Sequence, residues 1–130
     1  MTASATTVTV AAVQMVSKVE VSANLRDAAE LIGRAARAGA RLVVLPEYFC
    51  IMGRSDRDKV AARERDGDGP IQQFLAAEAA KHGIWLVGGT TPIDTQQARW
   101  REMAPAYTTG QPASVHRRAV SGRSSTTATT

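Results

Sequence analysis

Runs of apolar residues predict three strands in the first 93 residues. The clearest run is Leu42 to Leu45, four apolar residues without alternation, as expected for a parallel sheet covered by helices on both faces. Pro46 ends this strand, because proline has no backbone N–H to donate to a neighbouring strand. The segments Val8 to Gln14 and Ile84 to Gly89 are rich in β-branched and aliphatic residues, which predicts one strand before it and one after it.

Helical periodicity separates these strands. From Val21 to Ala38, small and apolar residues recur every three or four positions, with charged residues between them. Gly39 stands where a helix C-cap is expected. A second helix is predicted to open at Pro70, since proline is tolerated at the first helical position, and to end at Gly83. The polar stretch from Tyr48 to Asp68 is predicted to be a long connection over the carboxyl end of the sheet.

The resulting order, β-α-β-α-β, predicts an α/β fold for residues 1–93. A crossover between parallel strands is almost always right-handed, so the first βαβ unit should be too. No internal repeat is visible along the chain.

The composition changes after residue 93. Residues 94–130 contain no Leu, Ile or Phe, so they have little with which to form a core, and ordering them costs roughly 1 to 2 kcal/mol per residue. Residues 1–93 carry 11 Lys and Arg against 10 Asp and Glu, net +1, whereas residues 94–130 carry 5 against 2, net +3. We therefore predict two parts, a folded part over 1–93 and a disordered tail over 94–130.

Cysteine content and hydropathy indicate a cellular compartment. Cys50 is the single cysteine, so the chain forms no internal disulfide and does not require an oxidising compartment. The first seven residues contain no basic residue, unlike a secretory leader, and no stretch approaches the ~18 apolar residues that a membrane helix needs. We expect a cytoplasmic protein that does not contact a membrane.

Glu47 is the strongest candidate for chemistry, because it follows the buried strand and Pro46. The open carboxyl end of a parallel sheet is where active sites collect in α/β proteins. Several segments, one of which contains Glu47, occur in the same order as in the N-terminal part of the carbon-nitrogen hydrolase family. This family is the nitrilase superfamily, and the segments resemble its amidase-like branch. They are Ala-Ala-Val-Gln-Met at 11–15, Asn24-Leu25, the run from Gly39 to Phe49 that contains Leu-Pro-Glu-Tyr, Gly67 to Pro70, and Trp-Leu-Val-Gly-Gly-Thr at 85–90.

This resemblance, which covers about residues 8–93, implies a fold and a chemistry. The implied fold is the start of an α-β-β-α sandwich, in a family whose members are often homo-oligomers. The implied reaction is attack of a cysteine thiolate on a small amide or nitrile, with a glutamate as general base, a lysine that stabilises charge, and no cofactor. Glu47 matches the glutamate by its sequence context. A carboxylate suits that role because a thiol of pKa about 8.5 is mostly protonated at neutral pH and must lose its proton to attack.

The lysine and the cysteine of the implied triad have no match. The family places both beyond the third strand, but residues 94–130 contain no lysine and no cysteine. Cys50 lies three residues after Glu47 in a different context, and a buried or loop thiol is the better interpretation. Lys18 and Lys59 are predicted to be solvated, and Lys81 to lie at a helix end, where a cation is favoured.

A shifted reading frame accounts for the change in composition after residue 93 and for the missing lysine and cysteine. If each codon is rebuilt from the third base of one codon and the first two of the next, residues 102–108 permit Asn-Gly-Ser-Ser-Leu-Tyr and residues 124–130 permit Phe-Asp-Asn-Gly-Asn. Both strings resemble the family pattern. We infer a shifted reading frame from about residues 95–100 onward, which is either a sequencing or gene-model error or a true pseudogene, so that the chain as written is an inactive fragment.

Other features favour simpler interpretations. His82 and His116 have no partner at metal-ligand spacing, so no metal site is predicted. The alternating charges of residues 54–66, Glu64 among them, predict a solvated loop. The alternative to an amidohydrolase is a non-catalytic interaction module with a basic tail, but the tail lacks the interleaved aromatic and basic residues of a nucleic-acid binder, so no nucleic-acid partner is expected.

Overall fold

A computed structural model of the protein describes residues 4–94, 101–103, 106–108 and 111–112. The first half of the chain forms β1 (Val10–Ala12), α1 (Val21–Arg37), β2 (Leu42–Leu45) and α2 (Asp56–Ala61). The remaining elements are β3 (Glu64–Arg65), α3 (Pro70–His82), β4 (Trp85–Gly88), β5 (Thr91–Asp94), β6 (Arg101–Met103), β7 (Ala106–Thr108) and β8 (Gln111–Pro112). The α/β class predicted from the sequence is confirmed.

The main sheet has five strands in the order β1-β2-β4-β7-β8. Its first three strands are parallel, with Ala11, Val43 and Leu86 in one row, and β7 and β8 add to the sheet in antiparallel fashion. Val43 and Leu86 are fully buried and belong to one core with residues of α1 and α3. The strand predicted over 8–14 is shorter at 10–12, although hydrogen bonds involving Thr9 and Val13 extend its pairing with β2 at both ends.

Helix α1 forms where the apolar spacing predicted it. Its buried residues, Asn24, Ala28, Ile32 and Gly33, recur at helical spacing along one face. The helix ends at Arg37, and Gly39 follows with φ of 94°, a left-handed conformation that only glycine adopts at little cost.

Helix α3 also begins and ends at the predicted residues. Pro70 opens it, and Gly83 closes it in the left-handed conformation. The helix packs closely on the sheet at Gly88, where an added Cβ would lie 2.4 Å from Cδ1 of Leu75. Among the residues that the structure describes, no helix is long and apolar enough to cross a membrane.

The stretch predicted as one long connection contains structure of its own. Residues 48–68 include α2 and β3, and β3 joins β5 and β6 in a second, three-stranded sheet. Helix α2 begins with a carboxylate that satisfies backbone groups, since Oδ2 of Asp58 accepts hydrogen bonds from the N–H of Arg54 at 2.7 Å and of Ser55 at 3.3 Å. These elements have two to six residues, too few for a periodic pattern to reveal them.

Strands β6, β7 and β8 lie in the range for which the sequence predicts a disordered tail. Strand pairing uses backbone groups, which any sequence supplies, and one side chain of this range, Tyr107, is buried with 6% of its surface exposed. Residues 95–100, 104–105, 109–110 and 113–130, the last of which include His116, lie outside the described segments. The boundary after residue 93 and the frameshift remain predictions.

Candidate active site

Glu47 lies two residues beyond the end of β2, which is the second strand of the main sheet. Because β1, β2 and β4 are parallel, their carboxyl ends meet at the same edge. The side chain of Glu47 is exposed there, while Leu45 and Phe49 on either side are buried. Two buried residues therefore hold the turn in place while its carboxylate faces solvent.

The backbone of this turn has a defined and unusual geometry. The N–H of Phe49 donates to the carbonyl of Pro46 at 3.2 Å, and Tyr48 has a φ of 56°. Positive φ is uncommon outside glycine, and for a bulky residue it occurs where surrounding contacts impose it. One such contact is the hydrogen bond from the N–H of Tyr48 to Oγ1 of Thr90, at 3.1 Å. The turn is thereby attached to the end of β4.

Gly89 makes this attachment possible. Its φ is 38°, and a Cβ at this position would lie 2.0 Å from the carbonyl oxygen of Pro46. No side chain fits in that space, so glycine is required for the two strand ends to approach each other. The segment Gly-Gly-Thr after the third predicted strand thus supports the turn that carries Glu47.

The other side of the turn is fixed by Asn24 of α1, which is fully buried. Its Nδ2 donates to the carbonyls of Lys18, at 2.8 Å, and Cys50, at 2.9 Å, while its Oδ1 accepts from the N–H of Lys18 at 2.7 Å. The hydroxyl of Ser17 donates to the carbonyl of Phe49 at 3.3 Å. The sequence shows Asn24 only as part of a resemblance, because nothing local indicates which distant carbonyls its amide would bind.

Cys50 is a buried thiol, as its context predicted. None of its surface is exposed, and its Sγ lies 3.6 Å from the carbonyl oxygen of Thr90. Glu47, by contrast, is exposed. The two side chains are close in sequence but lie in different environments. Their burial therefore does not support Glu47 as the base for the Cys50 thiol.

The three lysines of the described residues differ in their surroundings. Lys18 is exposed and forms an ion pair with Asp27 at 2.9 Å, and Lys81 is exposed near the end of α3. Lys59 is half-buried, with Nζ 3.7 Å from the centroid of the Tyr48 ring. The prediction that Lys59 is merely solvated is therefore wrong, since its ammonium rests on the residue next to Glu47.

The prediction of a solvated loop is also wrong at Glu64, which is only 6% exposed. Its carboxylate accepts from the N–H groups of Ile71, at 2.5 Å, and Gln72, at 3.0 Å, and so caps α3. The sequence indicates that a residue outside α3 caps it. Gly69 at the N-cap has no side-chain oxygen, and the first turn of the helix has no acidic residue. A Cβ at Gly69 would lie 2.3 Å from Cδ of Glu64.

The described residues include no group of three or more His, Cys, Asp and Glu side chains that could hold a metal ion. His82 instead lies within α3 at 3.3 Å from the carboxylate of Glu78, one turn earlier. These two side chains pair with each other on the helix and are separate from the turn of Glu47.

Known proteins share sequence and fold with this chain. A model of the carbon-nitrogen hydrolase family matches residues 9–118. The deaminated glutathione amidase of Synechocystis is 34% identical over 83 residues, which is 64% of this chain and 30% of that protein. The chain thus spans about a third of the length of this relative.

Two solved structures share the fold. Nit3 of Saccharomyces cerevisiae, a member of branch 10 of the nitrilase superfamily, superposes with a TM-score of 0.66 and 30% identity over 76% of this chain and 39% of its own. A carbon-nitrogen hydrolase of Helicobacter pylori superposes with a TM-score of 0.70 and 18% identity over 83% of this chain and 38% of its own. The family match covers well over half of the sequence, and this chain therefore belongs to the carbon-nitrogen hydrolase family of the nitrilase superfamily.

Proposed function

We propose that Glu47 is the general base of a thiol-dependent amidohydrolase. The observation that carries the proposal is the turn at the end of β2, which Asn24, Gly89 and Thr90 hold while the carboxylate stays exposed. A base must be fixed before the reaction if it is to take a proton at the right place, and contacts on both sides of the turn supply that fixation.

The proposed reaction has two steps. In the first, Glu47 accepts the proton of a cysteine thiol as the sulfur attacks the amide carbon, and the carbon-nitrogen bond breaks as the amine leaves with that proton. In the second, water attacks the thioester with Glu47 as base, which releases the carboxylic acid and the thiol. A lysine near the carbonyl oxygen would stabilise the negative charge that develops there in both steps.

We propose a small amide as the substrate rather than a nitrile. The name of the Synechocystis relative, an amidase, supports this choice. The same proposal includes self-association, which is frequent in the family, and a cytoplasmic location, for which Cys50 as the single cysteine gives the reason.

The chain as written should hydrolyse no amide, because the lysine and the cysteine of the triad have no match in it. Loss of the nucleophile alone lowers kcat by about 10⁶ in an enzyme of this general kind. We propose that a shift of the reading frame near residues 95–100, whether a sequencing or gene-model error or a true pseudogene, accounts for the absence of both residues. A one-nucleotide correction near codon 99 should therefore extend the open frame through a lysine segment and a cysteine elbow.

The test compares three proteins on a panel of small amides: the chain as written, the frame-corrected product, and that product with Glu47→Gln. We expect turnover by the corrected product alone, with kcat lowered at least about 10²-fold by Glu47→Gln, because glutamine accepts no proton. Glu30→Gln, at an exposed position of α1, is the matched control and should leave turnover unchanged.

Three results would contradict the proposal. A corrected frame that meets a stop within a few codons, or encodes neither lysine nor cysteine, removes the frameshift. Full turnover in Glu47→Gln removes the general base. Turnover by the chain as written that is lost in both Glu47→Gln and Cys50→Ser would make Cys50 the nucleophile, whereas salt-sensitive binding of nucleic acid without turnover would favour the interaction module.

A further inference from the structure

One face of the main sheet is apolar and is not covered by a helix. Helices α1 and α3 pack on the opposite face, where Val43, Leu45 and Leu86 are buried in the core. Successive side chains of a strand point to opposite faces, so the residues between these core positions, in register across β1, β2 and β4, share the second face. We call this set the open face: Val10, Ala12, Leu42, Val44, Trp85 and Val87.

Large side chains of the open face are exposed on both sides of β2. Val10 on β1 has 57% of its surface exposed, and Trp85 on β4 has 52%. Both are register partners of Leu42, so the three residues form one continuous row across the sheet. None of the six residues of the open face belongs to the core that α1 and α3 form with the sheet. A contiguous apolar row of this kind marks an interaction surface, unlike apolar residues scattered singly.

The chemistry of the open face fits a second copy of the same face. All six of its residues are apolar, so two copies bring no like charges together, and a charged partner would gain no ion pair there. An apolar sheet packs face to face on another sheet at a spacing of about 10 Å. Two copies would then stack as helix, sheet, sheet, helix, which is the layer order of an α-β-β-α sandwich, and each sheet would be covered on both faces.

The size of the sheet limits how tightly two copies can bind. Five strands at a spacing of about 4.8 Å, with four residues at a rise of about 3.3 Å, have a footprint of at most roughly 300 Å². A stable interface buries about 800 Å² of accessible surface on each partner. Even if the relief of the side chains doubles the footprint, the contact is smaller than this standard. It should therefore be weak and reversible, with a Kd above about 1 μM.

We propose that two copies of the chain pair through the open face into a symmetric dimer, sheet against sheet. A two-fold axis parallel to β2 places Val10 of each copy opposite Trp85 of the other, because β1 and β4 lie on either side of β2. The two exposed large side chains of the face then cover each other. This inference goes beyond the proposed function, since it concerns the chain as written and assigns no role to Glu47.

Sedimentation equilibrium of the chain as written tests the pairing over about 1 to 500 μM, a range that begins near the lower bound of the Kd. The weight-average mass should rise from that of the monomer, 13.8 kDa, toward twice this value and no further, because a symmetric contact closes at two copies. In a Trp100→Phe background, the fluorescence of Trp85 should shift to shorter wavelength over the same range, as the indole loses contact with water. Salt at about 0.5 M should weaken neither signal, since the open face carries no charge.

Variants assign the pairing to the open face. Trp85→Lys and Val10→Lys each place a charge on it and should weaken pairing at least about tenfold, because the ammonium would lose water there without gaining a partner. Val16→Lys is the matched control: Val16 is 83% exposed, lies beyond the end of β1, and its replacement should leave pairing unchanged. Far-UV circular dichroism and urea denaturation report whether each variant keeps the fold.

A chain that stays monomeric at about 500 μM, or a pairing that survives both Trp85→Lys and Val10→Lys, would overturn this inference. Loss of pairing in only one of these variants would also overturn it, and in Val10→Lys alone would assign the contact to the edge of β1, since β4 lies inside the sheet. A mass beyond that of a dimer, or equal loss in Val16→Lys, would indicate non-specific association and has the same consequence. Failure of the proposed function is a separate result, because it is judged by hydrolysis in the frame-corrected product.

Discussion

Replacement of Asn24 by alanine should loosen the turn of Glu47 from the side of α1. The carboxamide of Asn24 makes three hydrogen bonds, two to Lys18 and one to the carbonyl of Cys50, and none of its surface is exposed. It therefore joins the segment before α1 to the segment after Glu47. Alanine keeps the helix and removes this connection.

The cost of Asn24→Ala follows from those three bonds. Each contributes about 1 kcal/mol net to stability, and the buried carbonyl of Cys50 additionally loses a partner that water cannot easily replace. Alanine regains roughly 0.5 to 0.7 kcal/mol in helix propensity. We expect the free energy of unfolding to fall by about 2 to 3 kcal/mol. For a small domain with an m-value of about 1 kcal/mol per molar urea, the midpoint should move by roughly 2 to 3 M.

Two assays separate local from global effects of Asn24→Ala. Urea denaturation followed by tryptophan fluorescence gives the change in stability. The rate at which the Cys50 thiol reacts with a thiol reagent under native conditions reports opening of the segment after Glu47, since Cys50 is fully buried in the intact protein. That rate should rise by more than the roughly 30- to 150-fold increase in the unfolded fraction that a loss of 2 to 3 kcal/mol causes by itself.

A control on the same helix calibrates the result. Ser22→Ala lies at an exposed position of α1 and should shift stability by less than about 0.5 kcal/mol. If Asn24→Ala behaves like this control in both assays, the carboxamide does not hold the turn, and the account of how Glu47 is positioned is wrong.

Two further predictions concern Gly89, which follows β4, and Tyr107, which lies on the neighbouring strand β7. Gly89→Ala should destabilise the protein by about 2 to 4 kcal/mol in urea denaturation, because it combines a left-handed φ with a Cβ that would lie 2.0 Å from the carbonyl oxygen of Pro46. In the control variant Gly83→Ala the φ is similar, but the added Cβ would have no atom within 4 Å, so the cost should be only about 1 to 2 kcal/mol. Equal costs for the two variants would disprove the clash. Burial first, and the charges of Glu64 and Asp66 second, raise the pKa of Tyr107 above 10.0. The unfolded chain therefore loses this proton at lower pH than the folded protein, and stability should fall as pH rises past about 10. Tyr107→Phe should remove that part of the decline, and identical pH profiles of the two proteins would refute the prediction.

Elements with a strong apolar pattern or with their own boundary residues could be predicted from the sequence, and elements without either could not. The run at 42–45 and the helix from Pro70 to Gly83 have the predicted bounds, because an unbroken apolar run and a proline-to-glycine segment each carry their own boundaries. Helix α2 has six residues and β3 has two, and neither length is enough for a period to appear. Their positions depend on partners in other segments, such as the pairing of β3 with β5.

The residues of the candidate site likewise include some whose place could be predicted from the sequence and some whose place could not. The place of Glu47 beyond β2 followed from Pro46 alone, since a residue that cannot donate ends the strand. The burial of Glu64 and the contact of Lys59 with Tyr48 did not follow, because charge alternation over 54–66 predicts solvent on average and says nothing about which charge meets a helix end or a ring. Long-range contacts of single polar side chains have no periodic signature.

The turn at Tyr48 connects the proposed base with the end of β4 and with α2. Its positive φ, its hydrogen bond to Thr90 and the absence of a side chain at Gly89 fix one piece of backbone, and that piece carries Glu47 on one residue and the ring under Lys59 on the next. A displacement of the turn must move the backbone of Glu47 and the ring of Tyr48 together, because neighbouring residues are joined by covalent bonds of fixed length. Lys59, by contrast, stands on α2 and is held at the ring only by a non-covalent contact, so a shift of α2 relative to the turn would separate the ammonium from the ring while Glu47 stays in place.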